Sequence, residues 1–442
     1  MNWNKLLSDK RFGMEQYHEE RKHERTDFQR DYDRLVFSAP FRRLQNKTQV
    51  FPLPGSIFVH NRLTHSLEVA CVGRSLGDKI GKALLSKYGY ENQSLWQIGA
   101  IVSAACLAHD LGNPPFGHSG EKAISTYFSE GNGLRFIEKM KAEGSRFSDF
   151  LNFEGNANSF RLLTHQFKGR RPGGFAMTYS TLASIVKYPF ASTLAGQKGK
   201  FGFFVSEEEA YKIIAGELEI IKLQDNPVQF CRYPLVYLVE AADDICYQIM
   251  DMEDAHKLKI ISTEECQTLL INFIPKDKQD RTIKIMEMLS DKNEQVAYLR
   301  SSAIGILIDE CSNVFLENEE NILQGDFTSS LIKKMSAPIL EAYQTCSDLA
   351  FRKIYRSQDV LDVELAGYRI INFLLDCLLD AVENRKNAYS KLLIERIPEQ
   401  YETDSEDSYT KVQSVVDYIS GMTDIYALDL YRKITGMNLP TL

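Results

Sequence analysis

Apolar residues fill the stretch from Leu95 to Ala108 with Gly99 as the only breaker, which predicts a buried helix of about four turns. The run stops at His109-Asp110, and Gly112, Pro114, Pro115 and Gly117 then forbid a continued helix and supply a tight turn. A new helical pattern follows Ser119, with Glu121 near its first turn, where the helix dipole favours a carboxylate. Leu67, Val69, Ala70, Cys71 and Val72 predict another core helix just after His65. A third follows from Leu235-Val236-Tyr237-Leu238-Val239 leading into Glu240-Ala241-Ala242-Asp243-Asp244, and it places Asp243, Tyr247 and Asp251 on one face at i, i+4 and i+8.

Beyond His256 the helical pattern returns, most clearly at Ile261–Ile274, Leu299–Leu316, Leu331–Cys346 and Val363–Val382. Strand signals are scarce: Gln49-Val50-Phe51 and Ile57-Phe58-Val59 flank Pro52 and Pro54-Gly55 and suit one small hairpin. The expected fold is therefore all-α or mainly α. Its expected organisation is a charged, partly extended arm over 1–33, a helical core over 34–255 and a helical C-terminal extension over 256–442. Gly- and Lys-rich stretches at 168–174 and 196–202 read as loops, the polar, acidic segment 400–407 as an exposed one. No internal repeat or low-complexity tract appears.

The chain has 442 residues, enough for a large core, and a formal net charge of −8, so no overall basic field draws it to nucleic acid. Eight cysteines lie scattered without CxxC pairs, several in apolar runs, which suits reduced, buried thiols. The polar start, MNWNKLLSDKRFGMEQ, shows no signal-type apolar region, and no stretch is long enough to span a membrane. A cytoplasmic protein is the expectation.

The segment His109-Asp110-Leu111-Gly112-Asn113-Pro114-Pro115-Phe116-Gly117-His118-Ser119-Gly120-Glu121 concentrates two imidazoles and two carboxylates. Packing explains that poorly, because a buried His or Asp without a partner costs several kcal/mol. A metal would need further ligands, and with eight histidines in the chain the search is short. His65 at the start of one predicted helix and Asp243 on another are the best candidates. Taken singly each has an ordinary structural reading: His65 as a cap, His118 and Glu121 as a helix start with its carboxylate, Lys187, Tyr188 and Lys200 as surface groups. Gln45 sits among Arg42, Arg43 and Lys47, which suit plain surface exposure.

The order Arg62-x-x-His65, His109-Asp110, Asp243 resembles the HD-domain metal phosphohydrolases. More narrowly, HDLGNPPFGHSGE, the upstream FRRLQNKTQVFP (Phe41 to Pro52), FEGNANSFR (Phe153 to Arg161) and EAADDICY (Glu240 to Tyr247) resemble the bacterial deoxyguanosine triphosphate triphosphohydrolase family. That similarity runs from about Glu24 to Asp254, with a weaker echo in DYISGMTDIYA (Asp417 to Ala427).

The resemblance implies hydrolysis of a deoxynucleoside triphosphate at the α-phosphorus, giving a deoxynucleoside and intact triphosphate. His65, His109, Asp110 and Asp243 match the family's ligands for a divalent ion, and two imidazoles with two carboxylates suit Mn, Mg, Fe, Co or Ni. His118, oriented or tuned by Glu121, matches the acid/base position. Arg62 matches an α-phosphate contact; Lys187, Tyr188 and Lys200 match contacts to the β- and γ-phosphates; Gln45, Tyr247 and Asp251 match positions around the sugar. The resemblance also implies a homo-oligomer, commonly a hexamer, and leaves open whether separate dNTP sites or single-stranded DNA act as regulators. Two alternatives remain open: an HD phosphodiesterase or nucleotidase acting on another nucleotide, and a nucleotide-binding regulator without turnover. The first would lack a triphosphate clamp.

Overall fold

Asn61 starts the longest helix, Arg62–Tyr88, through a capping box: its side-chain oxygen accepts the Thr64 N–H at 3.0 Å, and the Thr64 hydroxyl accepts the Asn61 N–H at 3.1 Å. This helix presses onto the apolar helix Ile98–Ala108 so closely that a Cβ at Gly77 would stand 2.7 Å from the Gly99 Cα. Only glycine permits that approach. The helix Val236–Lys257 packs across both. In the computed structural model, which describes residues 1–17, 25–51, 59–89 and 93–437, these three helices sit within a hydrophobic cluster extending from Trp3 to Ile354.

A second cluster, from Ala123 to Leu430, joins the helix Gly117–Ser129 to Gln358–Glu383, Ser408–Ser420 and Asp424–Ile434. The molecule is 67% helical, with a single two-stranded sheet among the described residues, so it is mainly α. That antiparallel sheet pairs Lys222–Asp225 with Val228–Phe230 and not the stretches near residue 50. There, residues 49–51 and 59 are not in strands, and 52–58 lie outside the described residues. Thr48 and Asn61 still face each other in an isolated antiparallel bridge, so the chain doubles back without a ladder.

The predicted helices appear with shifted ends. The run from Leu95 begins as a 3₁₀ turn, Gln93–Gln97, on which Trp96 is exposed, before the α-helix starts at Ile98. Gly117 rather than Ser119 opens the next helix, because Phe116 and Gly117 both turn left-handed, with φ of 63° and 57°. The segment Leu331–Cys346 divides into the 3₁₀ turn Ile332–Lys334 and the helix Ala337–Leu349, whose first turn takes Pro338. Residues near the N-terminus are docked on the core: Trp3 and Leu6 are buried, and Arg11 pairs with Asp31 at 2.6 Å and Asp27 at 2.8 Å. All eight cysteines are free thiols; six are buried, while Cys71 is exposed. No described helix is long and apolar enough to cross a membrane.

Candidate functional site

The close helix packing brings His65, His109 and Asp243 together at one end of the first cluster, with ligand atoms from all three within 4.8 Å of one another. His65 Nε2 lies 3.0 Å and His109 Nε2 3.5 Å from Asp243 Oδ1, and the two imidazoles meet edge to face at 5.4 Å between centroids. Asp110 Oδ1 stands 3.7 Å from His109 Nε2. His109 Nδ1 is 2.6 Å from the Cys106 carbonyl, which fixes Nδ1–H as the donor and leaves Nε2 as the atom open to a cation or a second proton. Nε2 is buried and has no hydrogen-bond partner. Ligand atoms 3.0–3.7 Å apart around this unpartnered Nε2 fit a divalent cation held by bonds of ~2 Å.

Charges sharpen the same picture. Burial alone would lower the His109 pKa, but the Asp110 and Asp243 carboxylates outweigh it and raise it to about 9. Burial would raise Asp110, yet Arg62 and His109 hold it at about 2; Asp243 is likewise held well below the usual carboxylate range. Arg62 Nη1 donates to Asp110 Oδ2 at 2.6 Å, and the Asn113 amide donates to the other oxygen. Both carboxylates are thus ionised at neutral pH, balanced in the ion-free site by Arg62 and the His109 ring.

His118 is the second residue of the helix Gly117–Ser129, with its surface open to solvent. Surrounding protein disfavours its charged form, and Arg62 and Lys200 add to that, so its pKa falls. Glu121 does not hydrogen-bond His118: its Oε1 accepts the Gly155 N–H at 2.9 Å, and its Oε2 lies 3.9 Å from Lys200 Nζ. Lys200 makes its shorter contact, 2.5 Å, with Glu154. Burial raises the pKa of both carboxyls, Glu121 and Glu154. Lys187 pairs with Glu240 at 3.1 Å, next to Arg232, which reaches the other oxygen of Glu240 at 2.9 Å. Lys187 and Tyr188 open onto a cleft of about 700 Å³ that Lys198, Arg232 and Lys333 also line.

Tyr247 and Asp251 follow Asp243 along one helix face, as the spacing predicts. Both meet a residue the sequence reading did not single out. Tyr355 stacks on the Tyr247 ring at 5.9 Å and donates its hydroxyl to Asp251 Oδ2 at 2.6 Å. Burial nonetheless raises the Asp251 pKa to about 8. Gln45 is exposed on a 3₁₀ turn and makes no contact with this group. Lys47, two residues on, is the opposite of the surface residue its basic neighbours suggested: it is 2% exposed and donates to the carbonyls of Asn113 and Ser420.

Asp424 was also missed, although it lies inside the quoted DYISGMTDIYA. It accepts hydrogen bonds from Thr48 and from the Phe116 N–H in the turn ahead of His118. Glu154 and Lys47 likewise belong to quoted strings, FEGNANSFR and FRRLQNKTQVFP, so the signal existed without a role attached. Tyr355 had none.

Residues 62–187 match the HD domain family and residues 333–433 the Phosphohydrolase-associated domain family. The chain is similar along 99% of its length to a deoxyguanosinetriphosphate triphosphohydrolase-like protein of Synechocystis sp., at 38% identity and covering all of that relative. A like-named protein of Pseudomonas aeruginosa is 36% identical over the whole of both chains. A deoxyguanosinetriphosphate triphosphohydrolase of Yersinia enterocolitica is 30% identical, covering 92% of this chain and 93% of that one.

Proposed function

Because the chain belongs to the deoxyguanosinetriphosphate triphosphohydrolase-like family, with an HD domain, we propose that it hydrolyses dGTP or another dNTP at the α-phosphorus. The products are a deoxynucleoside and inorganic triphosphate. One observation carries the reading: His65, His109 and Asp243 converge around a buried, unpartnered His109 Nε2, and Arg62 donates to the neighbouring Asp110. His65, His109, Asp110 and Asp243 would hold a divalent ion, and such an ion would polarise the α-phosphate and lower the pKa of water there.

The chain's own groups do the rest. Arg62, held by Asp110, offers its guanidinium to the charge that builds on the α-phosphate. His118, whose lowered pKa keeps it neutral near pH 7, serves as acid/base. Glu121 acts on it through Lys200, which it faces at 3.9 Å. Lys187, Tyr188 and Lys200 take the β- and γ-phosphates, and an arriving triphosphate then competes with Glu240 and Glu154 for the two lysines. Tyr247 and Asp251 receive the sugar. The core over 34–255 carries these groups, while the extension over 256–442 supports them.

Chromatography of the products formed from each dNTP with Mn or Mg tests the reaction. Triphosphate with deoxynucleoside is the expected pair. Phosphate or pyrophosphate would replace the reading with a nucleotidase or phosphodiesterase, and binding without products would replace it with a regulator.

A further inference from the structure

The turn that delivers His118 is held from a distant part of the chain. Phe116 and Gly117 have φ of 63° and 57°, and a bulky aromatic residue adopts that region only when its surroundings impose it. Asp424 supplies one constraint. Its Oδ1 accepts the Phe116 N–H at 2.9 Å, while its Oδ2 accepts the Thr48 N–H at 2.8 Å and the Thr48 hydroxyl at 2.6 Å. A second constraint comes from another helix, Gln358–Glu383. Gly367 lies so close to Phe116 that a Cβ there would stand 2.9 Å from the Phe116 Cβ and 3.0 Å from its Cγ. On the inner side, Arg62 Nη2 fills the space a Gly117 Cβ would need, 2.4 Å away. Lys47 adds a tie between Asn113 in the same loop and Ser420, at the end of the helix that precedes Asp424.

We propose that Asp424 and Gly367 are positioning residues for His118: together they impose the left-handed Phe116–Gly117 turn and so aim the imidazole at the substrate phosphate. Neither is among the candidate ligands, phosphate contacts or sugar contacts. The proposal rests on the acid/base reading of His118.

Three variants test it. Asp424→Asn keeps size but replaces one acceptor oxygen with an amide that faces an N–H donor. Gly367→Ala adds the Cβ that meets Phe116. Leu378→Ala, about three turns further along the same helix and fully buried in the same cluster, is the control for lost stability. In both test variants kcat should fall at least tenfold, while KM and bound Mn stay within twofold, and amide hydrogen exchange across 112–121 should quicken at least tenfold. Leu378→Ala should lower Tm with kcat within twofold and the exchange of that loop unchanged. Wild-type kcat and exchange in both test variants would overturn the proposal, as would equal losses in Leu378→Ala. If the wild-type protein releases no triphosphate from any dNTP, the reaction assigned above fails, and exchange at 112–121 decides the hold by itself: faster exchange upholds it, unchanged exchange removes it.

Discussion

At His109 protonation and coordination compete for one lone pair. In the ion-free site its pKa is about 9, so near pH 7 the ring carries a proton that a cation must displace. Ion affinity should therefore rise with pH, up to tenfold per unit, and level off above about 9. Calorimetry in buffers of different ionisation enthalpy should find a proton released from this group at pH 7; zero release would show the His109 ring to be neutral before the ion binds. His109→Ala should lose both ion and turnover while its helical circular dichroism stays native. His118→Ala should instead keep the ion and depress kcat by about 10²- to 10⁴-fold, and an unchanged kcat would make His118 a structural residue. The sequence made these positions legible because His and Asp beside an apolar run have few other uses. It hid Lys47, since nothing local tells a buried lysine from an exposed one among Arg42, Arg43 and Gln45. The fate of that ammonium is decided by two carbonyls, one of them 373 residues away.

Among the elements, the helix Val236–Lys257 gathers ion and sugar contacts on one face, and its periodicity was readable to that extent. The partner of that face was not. Tyr355 follows a π-turn, Ala350–Ile354, a local widening of the helix that side-chain periodicity does not reveal and that often marks functional positions. Tyr247→Ala should narrow the dNTP over rNTP ratio in kcat/KM, because the ring stacked on Tyr355 would no longer exclude a 2′-hydroxyl. Asp251→Asn should weaken dependence on the 3′-hydroxyl. Each effect should amount to about 1–3 kcal/mol. Ratios unchanged in both variants would separate the sugar from this face and leave the ion site standing. The helix ends were read less well than the helices themselves, as at Gly117, where two left-handed residues and not a serine cap decide the start.

For the whole molecule, buried charge joins parts that the sequence pattern set apart. Arg161 Nη2 meets Asp417 at 2.8 Å, and Nη1 meets Glu207 at 2.5 Å, with all three side chains buried. Asp417→Ala leaves the buried guanidinium with Glu207 alone and should cost about 3–5 kcal/mol in urea unfolding, a loss typical of a broken buried pair; a change below 1 kcal/mol would show the pair to be dispensable. Lys47 predicts a pH effect of definite sign. Burial, then Arg43, pulls its pKa down to about 7, whereas in the unfolded chain it is about 10.4. Between those values the unfolded chain binds more protons, so the contribution is greatest above about 10 and is lost as pH falls toward 7. Its slope is at most about 1.4 kcal/mol per unit. Lys47→Met should flatten the rise in stability between pH 7 and 9.5, and an unaltered slope would contradict the burial of charge. The bonds from Thr48 and Phe116 to Asp424 span 376 and 308 positions. Synthesis proceeds from the N-terminus, so every proposed ion ligand leaves the ribosome long before Asp424 does. A nascent chain halted at residue 400 already has all four of those side chains, but its Phe116 N–H still waits for its acceptor. The turn ahead of His118 can therefore gain this tie only once the helix Asp424–Ile434 has been translated.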